Sequence, residues 1–491
     1  MGSSSEADLA ALAKGGRTNV FGFILRLAAR VPFLFIAGRV YGPEVLGRMA
    51  YAVLVVEFAA QLATLGLKRG LALQLTNDPR GAGHVVWDAL LLVLGASALF
   101  TVPLILFPQA MFPNSTLNGL ESLLPLVIFF IAATDVMLAA LAYRFNVRAT
   151  VTARAIVEPW TISIAAFALS WWSIRDGLLA AYALSMATAF VAAVIPFVRA
   201  YKWPGAWRPS ESLIPLARRN LPLAAADAIE WGSRRIDLAI LGLFVSPAAV
   251  GVYYVAQNLA SLPQKLKTSF DPVLGPVITR NLEAGNRPAI AAAISQVGFW
   301  ILAAQAGIAL ALGIPGAAIM GLIGKGGVFV GGNGALAFLL LAEVLAATAV
   351  VSEAALVYIA RHRNMMISLG ALALQAGLSF LFILAMRERG WPELWQAAGP
   401  AAALAASLGV SAIIKSRLAA RLLGAPISLW RWPLLLASAV AAGIGGIATA
   451  TPEWSELIIG VPAMLAFYCW AIWRFGFKPE DRKLFARNAV D

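Results

Sequence analysis

The sequence predicts an all-α polytopic membrane protein with about 14 transmembrane helices. Three observations carry this expectation. Of the 491 residues, 60% are apolar and only 13% are charged, against about 45–50% and about 25% in water-soluble domains. Apolar stretches near the roughly 20 residues that a bilayer-spanning helix needs recur along the whole chain. Basic residues gather in alternate connections between those stretches, as they do in cytoplasmic loops.

The stretches lie at 20–41, 46–67, 85–107, 121–143, 155–173, 177–198, 220–244, 248–264, 289–313, 334–359, 365–386, 395–414, 430–450 and 457–474. Pro159 and Pro263 interrupt two of them. They are rich in Ala and Leu and do not alternate, which disfavours a barrel. In lipid the remaining way to satisfy every backbone group is the helix. The first 19 residues lack the pattern of a cleavable signal peptide, so the first apolar helix is expected to act as its own insertion signal. Cys469 is the single cysteine, which excludes an intramolecular disulfide.

The charges test this layout. With the N-terminus inside, 28 of the 38 Lys and Arg residues fall on the cytoplasmic side. Lys68, Arg69, Arg144, Arg148, Arg154, Arg218, Arg219 and Lys415 are among them. Six, including Arg39, Arg48 and Arg175, fall on the opposite side, and Arg26, Arg30, Arg234 and Arg235 lie within helices. The alternation predicts an even number of helices with both termini cytoplasmic. It also explains the net charge of +13 without nucleic acid, the expected partners being anionic membrane lipids.

An internal repeat appears when residue n is set against n+204. Arg30 meets Arg234, Leu34 meets Leu238, Ile36 meets Ile240 and Gly38 meets Gly242. Pro43 then meets Pro247, Gly47 meets Gly251 and Ala52 meets Ala256. Each proline suits the start of a helix, where its missing N–H is harmless. Each glycine one turn later allows two helices to approach closely. A unit of about six helices repeats in the same orientation, around an axis along the membrane normal. The expected organisation is therefore two pseudo-symmetric six-helix bundles, 1–205 and 206–420, followed by two extra helices and a cytoplasmic tail over 421–491.

At these residues the chain resembles a known group. The Gly42-Pro43-x-x-x-Gly47 turn, the stretch from Asp237-x-x-x-x-Gly242 to Pro247-x-x-x-Gly251-x-Tyr253, and Leu65-Gly66-Leu67 ahead of a basic pair carry the resemblance. They are similar to those of bacterial polysaccharide-biosynthesis (O-antigen or exopolysaccharide) flippases of the multidrug/oligosaccharidyl-lipid/polysaccharide exporter superfamily. The likeness covers roughly the first 280 residues by motif and the rest by topology. Members with two extra C-terminal helices, such as lipid II flippases, share the expected helix count.

The resemblance implies a task. Such proteins move a polyprenyl-pyrophosphate-linked oligosaccharide from the cytoplasmic to the outer face of the bacterial plasma (inner) membrane, by alternating access. They serve surface or exopolysaccharide synthesis, alongside glycan polymerases and glycosyltransferases, and are not enzymes. Two rival readings stand beside it. One is a cation-coupled drug exporter of the same superfamily. The other is a membrane polymerase or acyltransferase acting on polyprenyl-linked glycans, against which the short external loops and scarce catalytic groups count.

Charges inside membrane helices are costly and therefore informative. Arg26 and Arg30 lie four apart on one face of the first helix, and Arg234 and Arg235 sit in the first helix of the second repeat. Guanidinium groups bind pyrophosphate oxygens by forked hydrogen bonds, so these four are the candidate substrate-binding residues. The plainer role for Arg26 is snorkelling to headgroups. Asp227, Glu230, Arg234 and Asp237 are spaced three, four and three, which predicts one helical stripe with an excess of acid. With Glu57, those three acids are the candidates for coupling to H⁺ or Na⁺. The alternative is a closed ion-pair network with no ligand. Only His84 and His362 are available for histidine chemistry, and no P-loop or D-x-D pair occurs, so no cofactor is expected.

Overall fold

The structure, a computed structural model, describes residues 28–77, 82–202, 213–262 and 271–482. Among the described residues there is no strand, and the apolar stretches expected from the sequence are helical where they are described, residues 20–27 and 263–264 of two of them lying outside. Among the described residues nine helical runs are long and apolar enough to cross a membrane, and Trp432–Ala448 is a shorter apolar helix. The first of these runs, Ala28–Ala72, contains two of the expected segments. The chain divides into two compact units, Met1–Gly251 and Val252–Asp491.

In the first unit, α1 (residues 28–36) passes through a π turn, Ala37–Tyr41, into α2 (Gly42–Ala63). Gly42 has φ +80°, a conformation costly for any residue with a Cβ, and Pro43 follows in the first turn of α2. Leu65 and Gly66 both have positive φ and turn the chain into the amphipathic α3 (Leu67–Asn77). Next come α4 (Ala82–Leu106) and α5 (Val127–Tyr143), the latter preceded by a 3-10 turn, Leu120–Leu126. A short helix Val147–Thr150 and a π segment Val151–Val157 lead into α6 (Glu158–Leu169). The unit continues through α7 (Gly177–Tyr201), α8 (Leu213–Ser233) and α9 (Ile236–Phe244), and ends within α10 (Pro247–Ala260).

Helix α2 is buried along almost its whole length, packed on α4, α5, α7 and α8. Small residues make this possible. A Cβ on Gly47 would overlap the Pro247 carbonyl, and a Cβ on Gly251 would overlap the Pro43 carbonyl. The repeat-related residues thus meet reciprocally, each glycine on the other motif's proline, which is the signature of a local two-fold axis. Gly66 makes a similar approach to α8, with room for no side chain beside the Asn220 carbonyl and Ala224 N–H.

In the second unit, α11 (Asp271–Glu283) and α12 (Arg287–Gly313) are followed by α13 (Gly316–Ile323), α14 (Asn333–Ile359) and α15 (Arg361–Glu388). The chain then forms α16 (Ala398–Leu423), α17 (Trp432–Ala448) and α18 (Val461–Ala471). The order repeats that of the first unit: the amphipathic α11 follows α10 as α3 follows α2. Helices α14 and α16 pack closely through alanines, Ala342, Ala346 and Ala349 on one and Ala401, Ala405 and Ala412 on the other. A second core joins α12, α17 and α18 through Phe299, Leu302, Leu434, Ala441 and Met464, and the Tyr468 hydroxyl donates to the Ala303 carbonyl at 2.6 Å. Helix α15 leaves Met366, Leu369, Leu381 and Leu384 exposed, as a lipid-facing helix does.

Two basic residues expected in connections are in fact buried within helices. Arg48 lies in α2, and Lys415 lies in α16 at 3% exposure, where it pairs with Glu353 at 2.8 Å. Both were counted by sequence as membrane-edge charges because a helix end is blurred by a turn or two. Each is stable inside because its partner acid is supplied by another helix.

Candidate functional site

The first unit holds a polar network built from α2, α3, α5, α8 and the segment leading to α6. Arg154, in the π segment Val151–Val157, pairs with Glu158 one turn on, at 2.7 Å, and with Asp135 of α5. Its Nη2 also donates to the Ile131 carbonyl at 3.3 Å. Lys68 at the start of α3 reaches the other oxygen of Asp135 at 3.4 Å. Its neighbour Arg69 turns to α8, with Nε 2.8 Å from Asp227 and Nη2 2.6 Å from Glu230. Adjacent residues on one amphipathic turn therefore bind two different helices.

The predicted residues fall as follows. Arg235 and Glu57 come together, Nη1 to Oε2 at 2.7 Å, and the Arg235 guanidinium lies over the Trp231 ring. Tyr182 of α7 donates to the other Glu57 oxygen at 3.4 Å. It is also within electrostatic reach of Glu158 and Arg154, and so stands between the two clusters. Glu230 and Arg234 make a looser pair at 3.4 Å, and the Arg234 side chain is 70% exposed. Asp227 is buried on Arg69, yet neither of its oxygens receives a well-directed hydrogen bond. Arg30 is half-buried on α1 and Asp237 fully buried in α9, each engaged by neighbours. Arg26 lies outside the described residues.

One geometric expectation is corrected. Asp227, Glu230, Arg234 and Asp237 do not share a single stripe, because the helix breaks at Arg234 and Arg235. Arg235 has φ −138° and ψ 3°, outside the helical range, and α9 restarts at Ile236. Nor do the acids of the network stand without bases. In the network, Glu57, Asp135, Glu158, Asp227 and Glu230 are matched by Lys68, Arg69, Arg154, Arg234 and Arg235. Sequence spacing saw the acids of one helix and missed the bases brought in by α3 and the π segment. The i, i+4 spacing of Arg154 and Glu158 was the available signal for part of it.

A second cluster closes the opposite end of α2. Arg48 and Glu121 pair at 2.6 Å with both side chains buried, and Arg175 approaches the same Glu121 oxygen at 3.4 Å. Asn114, in the connection after α4, donates to the carbonyls of Gly242 and Val245, both at 3.0 Å. Among the described residues no group of three or more His, Cys, Asp or Glu is placed to hold a metal ion.

Comparisons place this architecture. Residues 36–308 match the family model described as polysaccharide biosynthesis protein. A lipid II flippase, MurJ, in an inward closed conformation has the same fold with a TM-score of 0.68 at 11% identity, over 95% of this chain and 100% of that one. An inward-facing multidrug resistance MATE family transporter of the MOP superfamily follows at 0.63 and 15% identity, over 82% and 94%. No curated protein sequence matches the chain.

Proposed function

Because this chain belongs to the polysaccharide biosynthesis protein family, a family of multi-pass membrane proteins whose fold it shares with flippases and transporters, we propose that it is a flippase for a polyprenyl-pyrophosphate-linked oligosaccharide. It carries its substrate from the cytoplasmic to the outer face of the bacterial plasma membrane, with both of its own termini cytoplasmic, and performs no chemistry on it. The lobes 1–205 and 206–420 move against each other, and 421–491 stands apart from that motion.

The observation that carries this reading at residue level is the helix break at Arg234 and Arg235. A broken membrane helix offers polar groups to a ligand where an intact one would bury them. Arg234 is exposed and only loosely held by Glu230, so its guanidinium is available to a pyrophosphate oxygen. Arg235 is held ready by Glu57 and Trp231. Arg30 on α1 provides a corresponding cation, and Arg26, outside the described residues, is proposed as another. Asp227, Glu230 and Glu57, each paired with arginine, and the buried Asp237 are the coupling groups: H⁺ or Na⁺ would load onto them as the lobes move.

The test is in cells. Loss of the protein should cause the lipid-linked glycan to accumulate on the cytoplasmic leaflet with its structure unchanged. Accumulation of a shortened or unmodified glycan would instead indicate an enzyme.

A further inference from the structure

A cavity of about 420 Å³ opens within the second unit, away from the charged network. It is lined by Ala317 and Ala318 of α13, Asn333 at the start of α14, Thr449 and Thr451 after α17, and Glu453 and Glu456 ahead of α18. Every polar group on its wall ends in oxygen or an amide, and no cationic side chain lines it.

Three details point to a ligand. Glu456 is buried, at 6% exposure, and lines the cavity, where no hydrogen bond or ion pair to its carboxylate forms among the described residues. Among the described residues the charge that acts on it is the like charge of Glu453. Asn333 Oδ1 is a buried acceptor without a donor. The Thr449 and Thr451 hydroxyls spend their protons on the Gly446 and Ala448 carbonyls, at 2.8 Å and 2.7 Å. Their remaining lone pairs can only accept. Elsewhere in this chain buried acids are paired with bases, whereas Glu456 has the cavity beside it.

We propose that this cavity binds a divalent hard cation, calcium being the best fit, through Glu453, Glu456 and the neutral oxygens of Asn333, Thr449 and Thr451. Two carboxylates match the double charge. An all-oxygen donor set without His or Cys suits calcium, whose coordination is large and tolerant of irregular geometry. The volume leaves room for waters to complete the shell. With only two charged ligands the site is a weak one, with half-saturation on the order of 0.1–1 mM, the range of extracellular calcium modules.

The experiment is equilibrium dialysis of the purified full-length protein in detergent with radioactive CaCl₂ in 100 mM NaCl. The wild type should bind about one calcium per chain in that range. Glu456→Gln should abolish binding, and Glu453→Gln, at an exposed position that tolerates substitution, should weaken it at least tenfold. A thermal shift on adding CaCl₂, present in the wild type and absent in Glu453→Gln, is the second readout. No saturable calcium binding to the wild type would overturn the proposal. Binding undiminished in both variants, or lost on merely raising NaCl to 300 mM, would also overturn it.

Discussion

Gly47 and Gly251 pack against each other, and each leaves no space for a side chain because the other's helix backbone occupies it. They are 204 residues apart and hold the same position in the two copies of the Pro-x-x-x-Gly motif. The closest neighbours are carbonyl and amide groups, which cannot rotate away as a side chain could.

Alanine at Gly47 or Gly251 is therefore expected to cost about 1–3 kcal/mol or more, as overpacking does. Gly95 has open space around its Cβ direction in α4, so Gly95→Ala should be neutral or stabilising by up to about 1 kcal/mol. Thermal unfolding of the three purified variants in detergent checks this. Equal midpoints for Gly47→Ala and Gly95→Ala would remove the contact from the account.

The Arg154 network predicts a larger loss. Arg154 holds Asp135 and Glu158 at once, and all three side chains are mostly buried. Removing one partner of a buried pair leaves an uncompensated charge and costs about 3–5 kcal/mol. Arg154→Ala should thus reduce the amount of folded protein sharply. Arg154→Ala combined with Asp135→Asn and Glu158→Gln should recover much of it, as measured by the monodisperse fraction in size-exclusion chromatography.

Arg235 and Glu57 are half-exposed, so their separation should cost little stability. The account predicts that Arg235→Ala and Arg234→Ala keep normal protein levels but lower glycan export at least tenfold. Arg235→Lys should not restore it fully, since an ammonium lacks the planar fork. Export at the wild-type rate in both alanine variants would exclude them from the substrate site.

At the C-terminal end, Asp481 receives the Trp300 indole N–H at 3.1 Å, Arg431 at 2.6 Å and the Lys478 N–H at 2.8 Å. Burial alone would raise this carboxyl, but Arg431, the Lys478 N–H and Trp300 together hold it below the usual carboxylate range. A depressed folded pKa gives stability that is fully present above the unfolded value, about 3.9, and is lost as pH falls through it toward the folded value. Asp481→Asn should lower the thermal midpoint at pH 7 and flatten its decline below about pH 4. An unchanged acid limb in the variant would show that the latch does not set it.

Much of the fold was legible because lipid imposes one rule on the whole chain. Among the described residues the apolar stretches are helical, some of them broken or passing through π turns, and the Pro43 and Pro247 motifs marked helix starts as read. The site was legible only along single helices. Glu57, Asp227, Glu230 and Arg235 could be named from their place inside apolar segments. Their partners Lys68, Arg69 and Arg154 looked like loop charges, because an amphipathic turn and a π segment leave no mark on hydropathy. The break at Arg234 had a signal that the apolar pattern outweighed, since Gly232 and Ser233, both poor helix formers, stand just before it.

The central claim is translocation without chemistry. The direct measurement is a proteoliposome assay with a labelled polyprenyl-pyrophosphate oligosaccharide in the membrane, reading its access to an impermeant reagent over time. The account predicts that the purified protein equilibrates the label between leaflets, that the recovered glycan lipid is unaltered, and that Arg234→Ala abolishes the movement. No movement above protein-free vesicles, or a glycan changed in length or composition, would contradict it.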